Sequence, residues 1–171
     1  MNPETAKTVR DALVDMIQGE HTATFQVLAA VTDAGKQYKP DPKSRTAWEI
    51  AKHIATSDTW FVDCIAAGAF SMDPAAAAKA DAAFTTPADV VAFYTKAIPA
   101  KLAVLKGLSG EDLTRTVDFF GVMQMPAVNF IGFMNNHSIH RRGQLAGYLR
   151  ALGSKVPNIY GPSADAEPAA K

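Results

Sequence analysis

Apolar residues recur at helical spacing along most of the chain. Val9, Leu13, Met16, Ile17, Phe25 and Leu28 fall on one side of a helix expected from about Pro3 to Thr32. Pro3 suits its first turn, where an N–H would have no intrahelical partner in any case. Gly35 stops it, and residues 36–45, KQYKPDPKSR, read as a Pro-punctuated loop. A second helix is predicted from Thr46 to Gly68, with Trp48, Ile50, Ile54, Phe61 and Ile65 on its apolar stripe and Ser44 or Thr46 as its cap. A third spans Pro87 to Gly107. Pro99 lies inside it and removes a backbone donor, so a kink or break is expected there. The fourth starts near Pro126 and ends at Gly153.

The connections are less regular. AFSMDPAAAAKADAAFTTP, residues 69–87, is a crossover with room for one short helix, and SGEDLTRTVDFFGVMQM, residues 109–125, alternates like a short hairpin or an irregular loop. Four amphipathic helices and one long crossover predict an all-α four-helix bundle, a single domain over residues 1–160. Residues 161–171 read as a flexible C-terminal tail, with Ile159 and Tyr160 able to anchor the segment before it.

Composition narrows the function classes. At 171 residues and 48% hydrophobic the chain supports one ordinary core. Lys plus Arg and Asp plus Glu are 17 each, so the concentrated positive charge that nucleic acid demands is missing. Cys64 is the single cysteine, which points to a reducing compartment. The charged start MNPETAKTVRDAL has no apolar signal core, and no apolar run reaches membrane-spanning length. A cytoplasmic protein with a small-molecule substrate is expected, without nucleic-acid or membrane partners.

The candidate chemistry lies on the second and fourth helices. His53 stands at the edge of the apolar stripe, one turn before Thr56 and Ser57, where a histidine is more often a packing residue than a ligand. NNHSIHRRGQLAGYLRALG, residues 135–153, places His137 on one face with Phe130, Met134, Arg141, Gln144 and Tyr148. Arg141 lies about 40° round the helix from His137 on one side, and His140 about 60° on the other. The i, i+4 spacing usual for two imidazoles on one ion therefore falls on Arg141, a permanent cation. Cys64 is about 16 Å along the helix from His53, too far to pair with it, and reads as a buried small hydrophobe. Ser138 has no base and orienter for a serine triad, and His21 on the first helix reads as a surface histidine.

TAWEIAKHIATSDTWFVDCI, the preceding YKPDPKSR and the final NHSIHRRGQLAGYLRALGSKVPNIYGPSAD together resemble the DinB-like family, bacterial proteins named for a damage-inducible member. The resemblance covers essentially the whole chain. It implies a stress-response setting and an up-down-down-up bundle, often a homodimer. It also implies a divalent metal (zinc, nickel or manganese) held by one histidine of the second helix and an HxxxH pair on the last, in a pattern like H-x-x-H-H-R-G-Q. Position by position, His53 and His137 match ligands and the third ligand falls on Arg141, while His140, Arg142, Gly143 and Gln144 match its neighbours.

Three outcomes follow from that departure. His140 replaces the missing ligand, two histidines and water hold the metal, or Arg141 takes its place and offers a guanidinium to an anion. The resemblance implies metal-assisted transfer of a low-molecular-weight thiol, or hydrolysis, on a small electrophile. His53, His137 and His140 would then hold the ion, with Arg141, Gln144, Tyr148 and Ser57 around the pocket. The competing readings are a metal-free bundle that binds a small anion and a non-catalytic dimeric scaffold.

Overall fold

The computed structural model describes residues 1–166. In chain order the elements are α1 (Pro3–Ala29), α2 (Ala47–Ala67), α3 (Pro74–Ala82), α4 (Pro87–Gly107), α5 (Gly110–Thr114), β1 (Thr116–Phe119), β2 (Met123–Pro126) and α6 (Ala127–Leu149). The four long helices form the expected bundle: α1 packs on α4 and α6, and α2 packs on the same two from the opposite side. No described helix is long and apolar enough to cross a membrane.

Local chemistry sets the helix ends. Thr46 Oγ1 accepts from the Glu49 N–H at 3.1 Å while the Glu49 carboxylate accepts from the Thr46 N–H at 2.7 Å, a reciprocal cap that starts α2. Thr86 with Asp89 and Ser109 with Asp112 start α4 and α5 in the same way. Gly68 closes α2 in the left-handed region at φ 71°, with the Arg115 guanidinium packed where a side chain would stand.

Several boundaries differ from those expected. α1 ends at Ala29, where the cap residue Ala30 returns its N–H to Gln26, so no glycine is needed. α6 ends at Leu149, and Gly153, at φ 84°, lies in the turn beyond it. Pro99 does not break α4, because it sits on the exposed face where water can satisfy the carbonyl its missing N–H leaves unpaired. α5 was not foreseen, and of the two forms expected for the rest of this segment the structure shows the hairpin: β1 and β2 pair antiparallel from Thr116 opposite Pro126 to Phe119 opposite Met123.

The core is built on Val14, Leu28, Ile50, Ile54, Ile65, Leu105, Phe130, Ile131 and Leu145. Met16 falls outside it and is 57% exposed. The inward stripe of α1 runs through Arg10 and Thr24, polar residues that a hydrophobicity pattern passes over. Both are hydrogen-bonded: Arg10 Nη1 donates to the carbonyls of Lys106 and Leu108, and Thr24 Oγ1 accepts from Arg142.

The chain after α6 folds back on itself as far as residue 165. Asp165 accepts from the Val156 N–H at 2.9 Å and pairs with Arg150, and Ser163 Oγ donates to the Val156 carbonyl. The last part of the expected tail, residues 167–171, lies outside the described residues.

Candidate functional site

Packing of α2 on α6 brings together the two histidines that the sequence separates by 84 positions. His53 Nε2 and His137 Nε2 are 3.1 Å apart, with the rings nearly perpendicular. Arg141, one turn after His137, points its Nε at the same His137 nitrogen from 3.5 Å. A guanidinium only donates, so His137 Nε2 is the acceptor, and His53 Nε2 carries the hydrogen shared between the rings. The His137 proton then sits on Nδ1, which is buried without a hydrogen-bond partner among the described residues.

Electrostatics keep this pair neutral. Burial first, then the nearby cations, holds each imidazole down to about 4; Arg45 and Arg141 act on both rings, and His140 adds to the effect on His137.

Arg141 is itself held in place. Its Nη1 donates to Gln144 Oε1 at 3.2 Å, and Gln144 Nε2 donates to the Tyr148 hydroxyl at 3.3 Å. Tyr148 stands edge-on to Tyr38 of the loop before α2. Gln144 and Tyr148 therefore back the guanidinium instead of lining the cavity. His140 is exposed and outside the cavity, since α2 meets α6 on the Arg141 side of His137.

The cavity has a volume of about 950 Å³. One end holds Arg45, His53, His137 and Arg141; Ser57, Trp60, Phe61 and Phe133 follow, and then α3, Cys64 and the hairpin close the far end. Cys64 is buried as expected, but it also contributes to this wall, and burial pushes its thiol above the usual range. Among the described residues neither Arg45 nor Arg141 has a carboxylate within ion-pair distance. His21 belongs elsewhere, in a groove of about 320 Å³ between α1 and α4, with its ring stacked on Tyr94.

Sequence reasoning missed Arg45, Phe119 and Phe120. Arg45 lies in a loop without periodicity. The Phe-Phe-Gly run at residues 119–121 was the available signal, two bulky aromatic residues beside a turn glycine.

Two imidazole nitrogens 3.1 Å apart suit neighbouring ligands of one ion, which at bond lengths of about 2.1 Å stand roughly 3.0–3.4 Å apart. The side chain beside them is Arg141, which has no lone pair to give a metal, and among the described residues no three His, Cys, Asp or Glu side chains are grouped to hold one. The donor set does not fit a three-histidine centre.

These features define a four-helix bundle with a histidine pair and an arginine facing a solvent-open cavity. The chain belongs to the DinB family, whose profile matches residues 1–169. It is similar to YrdA of Bacillus subtilis (strain 168), 29% identical over 126 residues, which cover 67% of this chain and 75% of that one. Among solved structures it is similar to a DinB-like protein of Bacillus cereus ATCC 10987, with a TM-score of 0.72, 26% identity and coverage of 88% and 97% of the two chains. YjoA, a DinB-like protein of Bacillus subtilis, gives a TM-score of 0.67, 22% identity and coverage of 88% and 99%.

Proposed function

We propose that this DinB-family chain binds a small organic anion in the α2–α6 cavity, with the Arg141 guanidinium standing where a metal ligand would be expected. The observation that carries the reading is Arg141 itself. It is braced by Gln144, directed at the His53–His137 pair, and has no carboxylate partner among the described residues. A guanidinium so placed presents its remaining N–H groups to a carboxylate or similar oxyanion, and charge-assisted hydrogen bonds of that kind are the strong ones. His53 and His137, neutral at physiological pH, present polarisable ring faces without competing for the anion.

The rival reading keeps a zinc, nickel or manganese ion on His53 and His137 with water in the other positions, and a low-molecular-weight thiol as cosubstrate. It draws on the 3.1 Å separation of the two ring nitrogens.

Metal analysis by mass spectrometry on protein purified without a metal-affinity step, combined with calorimetric titration of short carboxylates, separates the two. The anion reading expects substoichiometric metal, carboxylate binding indifferent to chelator, at least tenfold weaker binding in Arg141→Ala, and metal uptake in Arg141→His. Near-stoichiometric metal that is lost in His53→Ala, with carboxylate binding untouched in Arg141→Ala, overturns it.

A further inference from the structure

Resting on the anion-binding reading, we propose that the ligand is a single-chain amphiphile: one anionic head at Arg141 and an unbranched hydrocarbon chain lying along α2 beneath α3. The cavity extends along α2. Its floor follows α2 from His53 to Ala67, an axial distance of about 21 Å. An extended saturated chain advances about 1.3 Å per carbon, given C–C bonds of about 1.5 Å, so the floor accommodates about 16 carbons. A one-ring or two-ring carboxylate would leave more than half of it empty.

Polarity along that length is one-sided. Arg45 and Arg141 stand at the histidine end, and past Ser57 the lining turns to Trp60, Phe61 and Phe133. The far end does include two carboxylates, but Asp63 is paired with Lys101 of α4 and Asp73 Oδ1 accepts from the Ala75 and Ala76 N–H groups as the cap of α3, so both are engaged by the protein itself. One charged head and an apolar remainder match this distribution.

α3 supplies a second, independent observation. Its nine residues contain no buried side chain, although seven of them are Pro74 or alanine. Ala76, Ala77 and Ala80 form the cavity-facing stripe. Packing within the protein does not use that stripe, and a smooth alanine surface suits a chain that makes no directional contacts. Met72, Phe93 and Phe120, which are 66%, 37% and 47% exposed, converge on the same stretch of wall. A hydrocarbon chain seated between these side chains and α3 would remove both apolar surfaces from water at once.

The test is a calorimetric titration of the full chain with straight-chain carboxylates of increasing length, from hexanoate to octadecanoate, below their micelle concentrations. The expected dissociation constant falls by up to about fourfold per methylene and levels off near 16 carbons. Arg141→Ala should weaken every member by one common factor. Ala77→Trp, on an exposed helix where it will not disturb the core, should weaken the long chains at least tenfold and leave hexanoate unchanged. Affinity that ignores chain length but still depends on Arg141 overturns the amphiphile and leaves the anion site standing. Length-dependent binding of the matching alcohols with no effect of Arg141→Ala overturns the anion reading and this proposal together, as does a series in which no member binds.

Discussion

Asp58 is 5% exposed on α2 and faces α6, where Ser138 Oγ donates to its Oδ2 at 2.8 Å. Its other oxygen is buried without a partner among the described residues. Burial pushes the carboxyl up to about 7, against the opposing pull of the Ser138 hydroxyl. Between the ordinary carboxylate range and pH 7 the unfolded chain has released this proton while the folded chain retains it. Stability should therefore fall as pH rises from about 4 to 7 and stay level above, with a total on the order of 4 kcal/mol as an upper bound. Urea midpoints measured across that range should show the slope in the native chain and its loss in Asp58→Asn, which becomes the more stable protein at pH 7.5. An equal slope in both would show that the carboxyl ionises at its ordinary pH.

The hairpin between α5 and α6 carries strain that its sequence does not require. Phe120, at φ 53°, and Gly121, at φ 73°, are the central residues of a turn closed by the Val122 N–H to the Phe119 carbonyl at 3.0 Å. A β-turn with positive φ at both central residues favours Asn-Gly, and a phenylalanine there costs about 1–2 kcal/mol. What holds Phe120 is its ring, parallel to Trp60 and within the aromatic group formed with Phe70 and Phe119 on the cavity wall. Replacement by asparagine relieves the backbone and removes the ring. Phe120→Asn is expected to keep or raise the melting temperature while weakening binding of long-chain carboxylates several-fold. A lowered melting temperature with unchanged binding would place the residue in the stability of the hairpin instead.

At the scale of the molecule, Arg142 fastens three distant segments. It is 1% exposed, pairs with Glu20 at 2.6 Å, donates to Thr24 Oγ1, and meets the Tyr160 hydroxyl, which in turn donates to Glu20. α1, α6 and the C-terminal segment are thus held through one buried guanidinium. Removing the guanidinium leaves Glu20 partly buried without its counter-charge. Arg142→Met should cost about 3 kcal/mol in chemical denaturation and expose residues 154–166 to limited proteolysis. Tyr160→Phe should cost about 1 kcal/mol and have little further effect once Arg142 is gone, because the two act through one network.

The same neighbourhood separates what could be read in advance from what could not. The period of apolar positions, the Thr46 cap, the proline at 87 and the glycine at 68 determined that four long helices form and roughly where, because those signals act within a few residues of themselves. His53 and His137 stood out on their faces for the same reason. Which neighbour of His137 would join them was open. His140, Arg141 and Arg142 are consecutive on one helix and differ only by rotation of about 100° per residue. The packing of α2 and α1 against α6 assigned them: His140 to solvent, Arg141 to the cavity, Arg142 to the core. Local pattern belongs to the sequence because it arises from short-range geometry. The cavity, its aromatic rim and the neutrality of its histidines arose only when helices distant in the chain excluded water between them.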